Sequence, residues 1–350
     1  VPKVELSWEQ LAQELADWER KLASGRATLR EATGAQPGCS PRRLLHRAGR
    51  ASLYRYESHA RSADAVPTLV VYALVNRPAM ADLEPERSLV RCLLERGVDV
   101  HLIEWDDPTA LDSAATLAEY IERDLGACVD HLAAAGRGVN LLGICQGGTF
   151  SLCYAALHPD KVRKLVTTVT PVDFHTPTDM LSHWLRHVDL ELLGAGNLGV
   201  DALNALFLSL KPLRLTQQKY VALVDQLADR RAVETFMRME QWIFDGPDLA
   251  GGALEEFARA FYRDNRLVNG GLEIAGRPVS LAAVTMPVLN IFAAEDHLVP
   301  PAASRALGGL VGSRDYTELE VPGGHIGIYV GGRSRELVAE TIAGWLAAGD

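Results

Sequence analysis

The stretch LLGICQGGTF, residues 141–150, sets one cysteine among glycines at the end of an apolar run. The β-rich segment VNLLGIC (139–145) leads into it, and a helical pattern follows over about 147–157. A strand entering a helix through Gly143-Ile144-Cys145-Gln146-Gly147-Gly148 matches the G-x-S-x-G nucleophile elbow, with cysteine in the serine position. The elbow is strained, and strand and helix approach so closely that flanking side chains would clash, which calls for glycine. At the tip, the positive end of the helix favours thiolate over thiol. The backbone N–H of Gln146 would point to where an oxyanion forms. On these ten residues alone a second reading stays open: a tight turn whose cysteine fills a gap in the core.

The flanking sequence alternates strand and helix. SLYRYE (52–57) has the polar–apolar alternation of a half-buried strand. PTLVVYAL (67–74), VDVHLIEW (98–105) and KLVTTVTPV (164–172) are short apolar runs suited to parallel strands covered on both faces. TLAEYIERDLGACVDHLAAAG (116–136) carries Leu117, Ile121, Leu125 and Val129 along one helical stripe. The rhythm stops near Phe174 and resumes near Met286 with PVLNIFAAED (287–296), YTELEVPG (316–323) and the closing helix SRELVAETIAGWLAAG (334–349). These patterns predict an α/β fold with a mainly parallel sheet, built from 41–174 and 286–350. Residues 175–285 read as a mainly helical cap inserted over the C-terminal edge of the sheet, where open α/β sheets bind ligands. Residues 1–40 form a separate feature. Trp8, Leu11, Leu15, Trp18, Leu22 and Leu29 make a narrow helical stripe that either packs on its own domain or docks a partner.

In the α/β-hydrolase fold the chain order is nucleophile, acid, histidine. Asp296 closes the run PVLNIFAAED, and His325 follows in VPGGHIGIY, after a strand and before the last helix. Cys145, Asp296 and His325 each fall at the C-terminal end of a strand, the slots of a catalytic triad. A second oxyanion donor is expected from the backbone N–H of Val75 or Asn76, in LVNRP after the run VVYAL. His297 reads as a brace for the acid's loop. His183 and His187 have a metal-binding i, i+4 spacing but no third ligand, so an ordinary amphipathic helix is expected there and no metal.

Composition narrows the class. A net charge of −10 disfavours nucleic acid or an acidic membrane surface as partner. No run of about 18 uncharged apolar residues suggests a membrane span. Five cysteines without a CxxC pair, and a start lacking a basic-then-apolar leader, make a reducing cytoplasm the expected setting.

GICQGGTFSLCYAALHPDKV, VTPVDFHTP, NIFAAEDHLVPP and PGGHIGIYV together resemble the catalytic subunit of poly(3-hydroxyalkanoate) synthases. The resemblance is nearest to the short class III type, extends through FLSLKP (207–212), and is weakest over about 1–50 and 185–200. It implies an acyltransferase that polymerises (R)-3-hydroxyacyl-CoA, usually 3-hydroxybutyryl-CoA, and releases CoA through a covalent Cys145 thioester. It further implies no cofactor beyond the CoA thioester substrate, a second helix-rich subunit in a homo- or hetero-oligomer, and a place on cytoplasmic polyester granules. His325 is then the general base, while Asp296 either orients it or takes the proton of the incoming 3-hydroxyl, and at least a share of the second role is expected of it. Thr149 departs from the smaller residue expected at that position in the family. The rival classes are a thiol-dependent esterase or thioesterase resembling dienelactone hydrolase, and a non-catalytic binding protein of the same fold.

Overall fold

In the computed structural model the described residues are 37–348, except 59, 61–64, 135 and 211–212, together with 13, 16, 17 and 19–21. The apolar stripe from Trp8 to Leu29 lies outside them. Contacts divide the chain into two units, one of Gly38–Val200 with Asp245–Asp350 and one of Val1–Pro37 with Asp201–Phe244.

The larger unit is built on an eight-stranded sheet. Its strands are β1 (Arg42–Ala48), β2 (Ala51–Tyr56), β3 (Pro67–Val71), β4 (Asp99–Trp105), β5 (Val139–Ile144), β6 (Val162–Thr168), β7 (Val288–Ala293) and β8 (Tyr316–Val321). They lie in the order β1-β2-β4-β3-β5-β6-β7-β8. Only the β1–β2 and β2–β4 pairs are antiparallel; every pairing from β4 to β8 is parallel. Every residue of β3, β5 and β7 is buried, which is why their sequences are nearly unbroken apolar runs. Helices α1 (Leu89–Glu95), α2 (Gly126–Ala133), α3 (Gln146–Leu157) and α4 (Gly332–Ala347) cover the sheet, with a π-helical turn at Glu119–Leu125 opening into α2.

Two details explain where periodicity misled. β1 is mostly exposed or half-buried and carries a bulge between Leu44 and His46, so its sequence shows no clean alternation. The run 164–172 is not one strand. β6 ends at Thr168, and Val169 takes φ 43°, an unusual conformation for a β-branched residue, while its N–H donates to the Ile291 carbonyl at 2.8 Å. Lys164, buried in β6, donates to the carbonyls of Trp345, Leu346 and Ala348. A cation is thereby placed on the negative end of α4.

Of the segment 175–285, residues 175–200 and 245–285 belong to the larger unit and 201–244 to the smaller. Phe257 stacks on Phe261 and meets Phe150 of α3 edge-on, while Phe174 packs against Phe257, Phe261 and Tyr262. This aromatic cluster seats 251–263 directly on the elbow helix. In the smaller unit, helices Lys219–Gln226 and Arg230–Phe244 enclose a core of Val224, Leu227 and Val233, with Lys219 paired to Glu240 at 2.6 Å.

Candidate active site

Cys145 stands between β5 and α3 with φ 55° and ψ −125°, a backbone conformation that glycine tolerates and cysteine does not favour. Its N–H donates to the Thr168 carbonyl at 3.0 Å, and its carbonyl accepts from Gly148 N–H at 2.9 Å. The three glycines are there for space. A Cβ on Gly143 would strike the Gly148 backbone, one on Gly147 the Val71 carbonyl, and one on Gly148 the Thr170 side chain. Backbone cannot swing aside as a side chain can. Gly147→Ala is therefore expected to lose about 3 kcal/mol or more, or to fail to fold, read by urea denaturation against wild type.

The acid and the base meet as a buried pair. His325 Nδ1 lies 2.7 Å from Asp296 Oδ2, and both residues are 7% exposed. The other carboxylate oxygen, Oδ1, accepts the N–H groups of Leu298 and Val299, each at 2.9 Å. Both oxygens of Asp296 are thus occupied. Burial pushes the His325 imidazolium down, but the Asp296 carboxylate, hydrogen-bonded to it, and a charge on Cys145 outweigh it, and its pKa rises to about 10. The elbow thiol therefore lies near enough to act on the pair.

The other cysteines are set apart from this one. Cys92, Cys128 and Cys153 are buried and Cys39 is exposed, all of them free. Burial pushes Cys128 and Cys153 up to about 12, and burial together with the Asp82 carboxylate does the same to Cys39.

Around the elbow, the Gln146 side chain does something the sequence did not announce. Its Oε1 accepts the N–H of Leu74 at 3.0 Å and pins the loop after β3 beside the elbow. With the Leu74 N–H engaged, Val75 and Asn76 are next along this loop, and Asn76 takes φ 62°. Three tyrosines absent from the sequence reading, buried Tyr72 and Tyr329 and half-buried Tyr262, are pushed up by desolvation and, to a lesser degree, by a charge on Cys145. The one local signal was Tyr329, four residues beyond His325 in GGHIGIY.

Thr149 donates from Oγ1 to the Pro171 carbonyl at 2.9 Å in a fully buried setting. Thr149→Val would strand that carbonyl, and a loss of about 1–3 kcal/mol in urea denaturation is expected, with turnover unchanged. His183 lies on the helix Met180–Leu185, and His187 falls beyond its end. Among the described residues no group of three or more His, Cys, Asp or Glu could hold a metal ion, and no helix is long and apolar enough to cross a membrane.

The strand order, the elbow and the acid–histidine pair define an α/β-hydrolase-fold protein with cysteine where serine usually stands, and the family described as alpha/beta hydrolase fold matches residues 77–332. At the fold level the chain resembles an alpha/beta hydrolase fold protein from Chitinophaga pinensis, with TM-score 0.51, 13% identity, and coverage of 89% of this chain and 99% of that one. Sequence likeness is more specific. The chain is 51% identical over 349 residues to the poly(3-hydroxyalkanoate) polymerase subunit PhaC of Allochromatium vinosum, covering 98% of each. It is 48% identical to that of Thiocystis violacea, again over 98% of each, and 42% identical to that of Synechocystis, over 97% and 93%. The chain belongs to the PhaC family of poly(3-hydroxyalkanoate) polymerases.

Proposed function

We propose that this protein polymerises (R)-3-hydroxyacyl-CoA, 3-hydroxybutyryl-CoA among them, into polyester, with Cys145 carrying the acyl chain. The observation that carries the reading is a cysteine on the elbow tip whose charge acts on a histidine held by a buried carboxylate, in a chain half identical to PhaC over nearly its whole length. His325 takes the Cys145 proton, and the thiolate attacks the thioester carbonyl. The N–H of Gln146, with that of Val75 or Asn76, holds the oxyanion, each well-placed donor supplying about 3–4 kcal/mol. The intermediate collapses, the C–S bond to CoA breaks, and His325 returns the proton to the departing CoA thiolate. His325 then takes the proton of the 3-hydroxyl of a further hydroxyacyl-CoA, and the oxygen attacks the Cys145 thioester. The C–S bond to Cys145 breaks as the ester forms, and His325 returns the proton to the departing Cys145 thiolate, which the lengthened acyl-CoA acylates again.

Asp296 is assigned to orienting His325 rather than to the substrate hydroxyl. The support is its hydrogen bonding: Oδ2 holds His325, and Oδ1 holds two backbone amides. A helix-rich second subunit and a polyester granule surface complete the proposal, on the resemblance to the short class III synthases. The test is incubation with 3-hydroxybutyryl-CoA, alone and with such a subunit, following free CoA and turbidity. CoA release with growing turbidity and extractable polyester is expected. CoA release matched by soluble 3-hydroxybutyrate would instead make the protein a thiol hydrolase.

A further inference from the structure

His325 and Cys145 are supplied by segments about 180 residues apart in the chain, and proton transfer between them needs hydrogen-bond reach. Asp296 holds one ring nitrogen, but something must also hold the histidine's own segment against the elbow. Tyr329 lies on the short helix Gly327–Val330 and is 2% exposed. Its hydroxyl is 2.7 Å from Oγ1 of Thr168, the last residue of β6. Thr168 Oγ1 in turn donates to the Gly143 carbonyl at 3.2 Å, two residues before the nucleophile. A hydroxyl has a single hydrogen, so Thr168, donating to Gly143, must accept from Tyr329. The chain therefore runs Tyr329 O–H to Thr168 O–H to Gly143 C=O. Burial and the nearby negative charges of Cys145 and Asp296 keep Tyr329 protonated, as a donor must be. Thr168 grips the elbow a second time, because its carbonyl accepts the Cys145 N–H. Packing alone would be served by phenylalanine and valine, so the two hydroxyls need another reason.

We propose that the Tyr329–Thr168 pair sets the placement of His325 relative to Cys145, which makes Tyr329 a positioning residue for the proton transfer. The inference rests on the assignment of Cys145 and His325 as nucleophile and base.

Tyr329→Phe and Thr168→Val each remove one link while keeping shape, and Thr168→Ser restores the hydroxyl. Each variant is read in two ways. The first is kcat and KM with 3-hydroxybutyryl-CoA. The second is the pH profile of Cys145 alkylation by iodoacetamide, followed on the Cys145 peptide by mass spectrometry. Alkylation needs no acyl substrate, so failure of the polymerase reading leaves it intact. Tyr329→Phe and Thr168→Val should each lower kcat by about tenfold to a hundredfold, the effect of a small misplacement, with KM within about twofold. The double variant should be no worse than either single one. The alkylation profile should move toward that of an isolated thiol in both, and Thr168→Ser should stay close to wild type. Unchanged kcat and an unmoved alkylation profile in Tyr329→Phe would overturn the proposal. So would multiplicative losses in the double variant, or lowered thermal stability with both readouts preserved.

Discussion

Cys145→Gly is expected to yield a protein that is inactive and more stable than the parent. Without the thiol no acyl-enzyme forms, and CoA release should fall by about 10⁴-fold or more, the range seen when a nucleophile is removed from a triad. The stability gain comes from the backbone. At φ 55° and ψ −125° a residue with a Cβ is strained by about 1–3 kcal/mol, and glycine escapes most of that. Glycine also costs entropy in the unfolded chain, so a net gain of about 1 kcal/mol is expected. Cys145→Ala provides the control, since it removes the thiol and keeps the Cβ: equally inactive, with stability near wild type. Urea denaturation and CoA release on the three proteins decide it. If the glycine variant were the least stable of the three, the elbow strain would not be stored at Cys145.

Asp296→Asn should lose both acylation and chain extension, together and by about 10³–10⁴-fold. An asparagine has one acceptor oxygen, and Asp296 uses two, one for His325 Nδ1 and one for the amides of Leu298 and Val299. With the oxygen kept on the two fixed backbone amides, the NH₂ faces Nδ1, and the imidazole is pushed toward the tautomer that cannot accept the Cys145 proton. Acyl-enzyme formation by intact-protein mass spectrometry and polymer yield measure the two steps separately. A variant that still acylates Cys145 but does not extend the chain would move Asp296 from His325 to the substrate hydroxyl. The His325 pKa, held near 10 partly by this carboxylate, should fall in the variant, and an NMR titration of the imidazole would read it.

Much of the larger unit was legible because its signals are local. The runs at 67–74, 139–145 and 287–296 each contain a parallel strand buried at every residue, and a strand covered on both faces is apolar at nearly every position. The elbow was legible because its glycines are demanded by close contacts, with backbone at Gly143 and Gly147 and with the Thr170 side chain at Gly148. β1 was not, because an edge strand half-open to solvent can be written with almost any residue: RRLLHRA has no period. The division of 175–285 was also hidden. Helical spacing reports that a face is buried but not against what. Only packing shows 245–285 on the elbow helix side of the fold while 201–244 forms a core of its own.

The sequence by itself marked out Cys145, Asp296 and His325, since each follows a strand in the order the fold requires. It determined the need for glycine at 143, 147 and 148 in the same way. The tertiary structure alone decided how Asp296 reaches His325, how Gln146 pins the loop that carries Val75 and Asn76, and how Tyr329 reaches Thr168. Those contacts join residues from 29 to 161 positions apart. Hydrogen bonds across such separations leave no periodic trace in the chain. They depend on where strands end after packing, which is a property of the whole sheet and not of any segment of it.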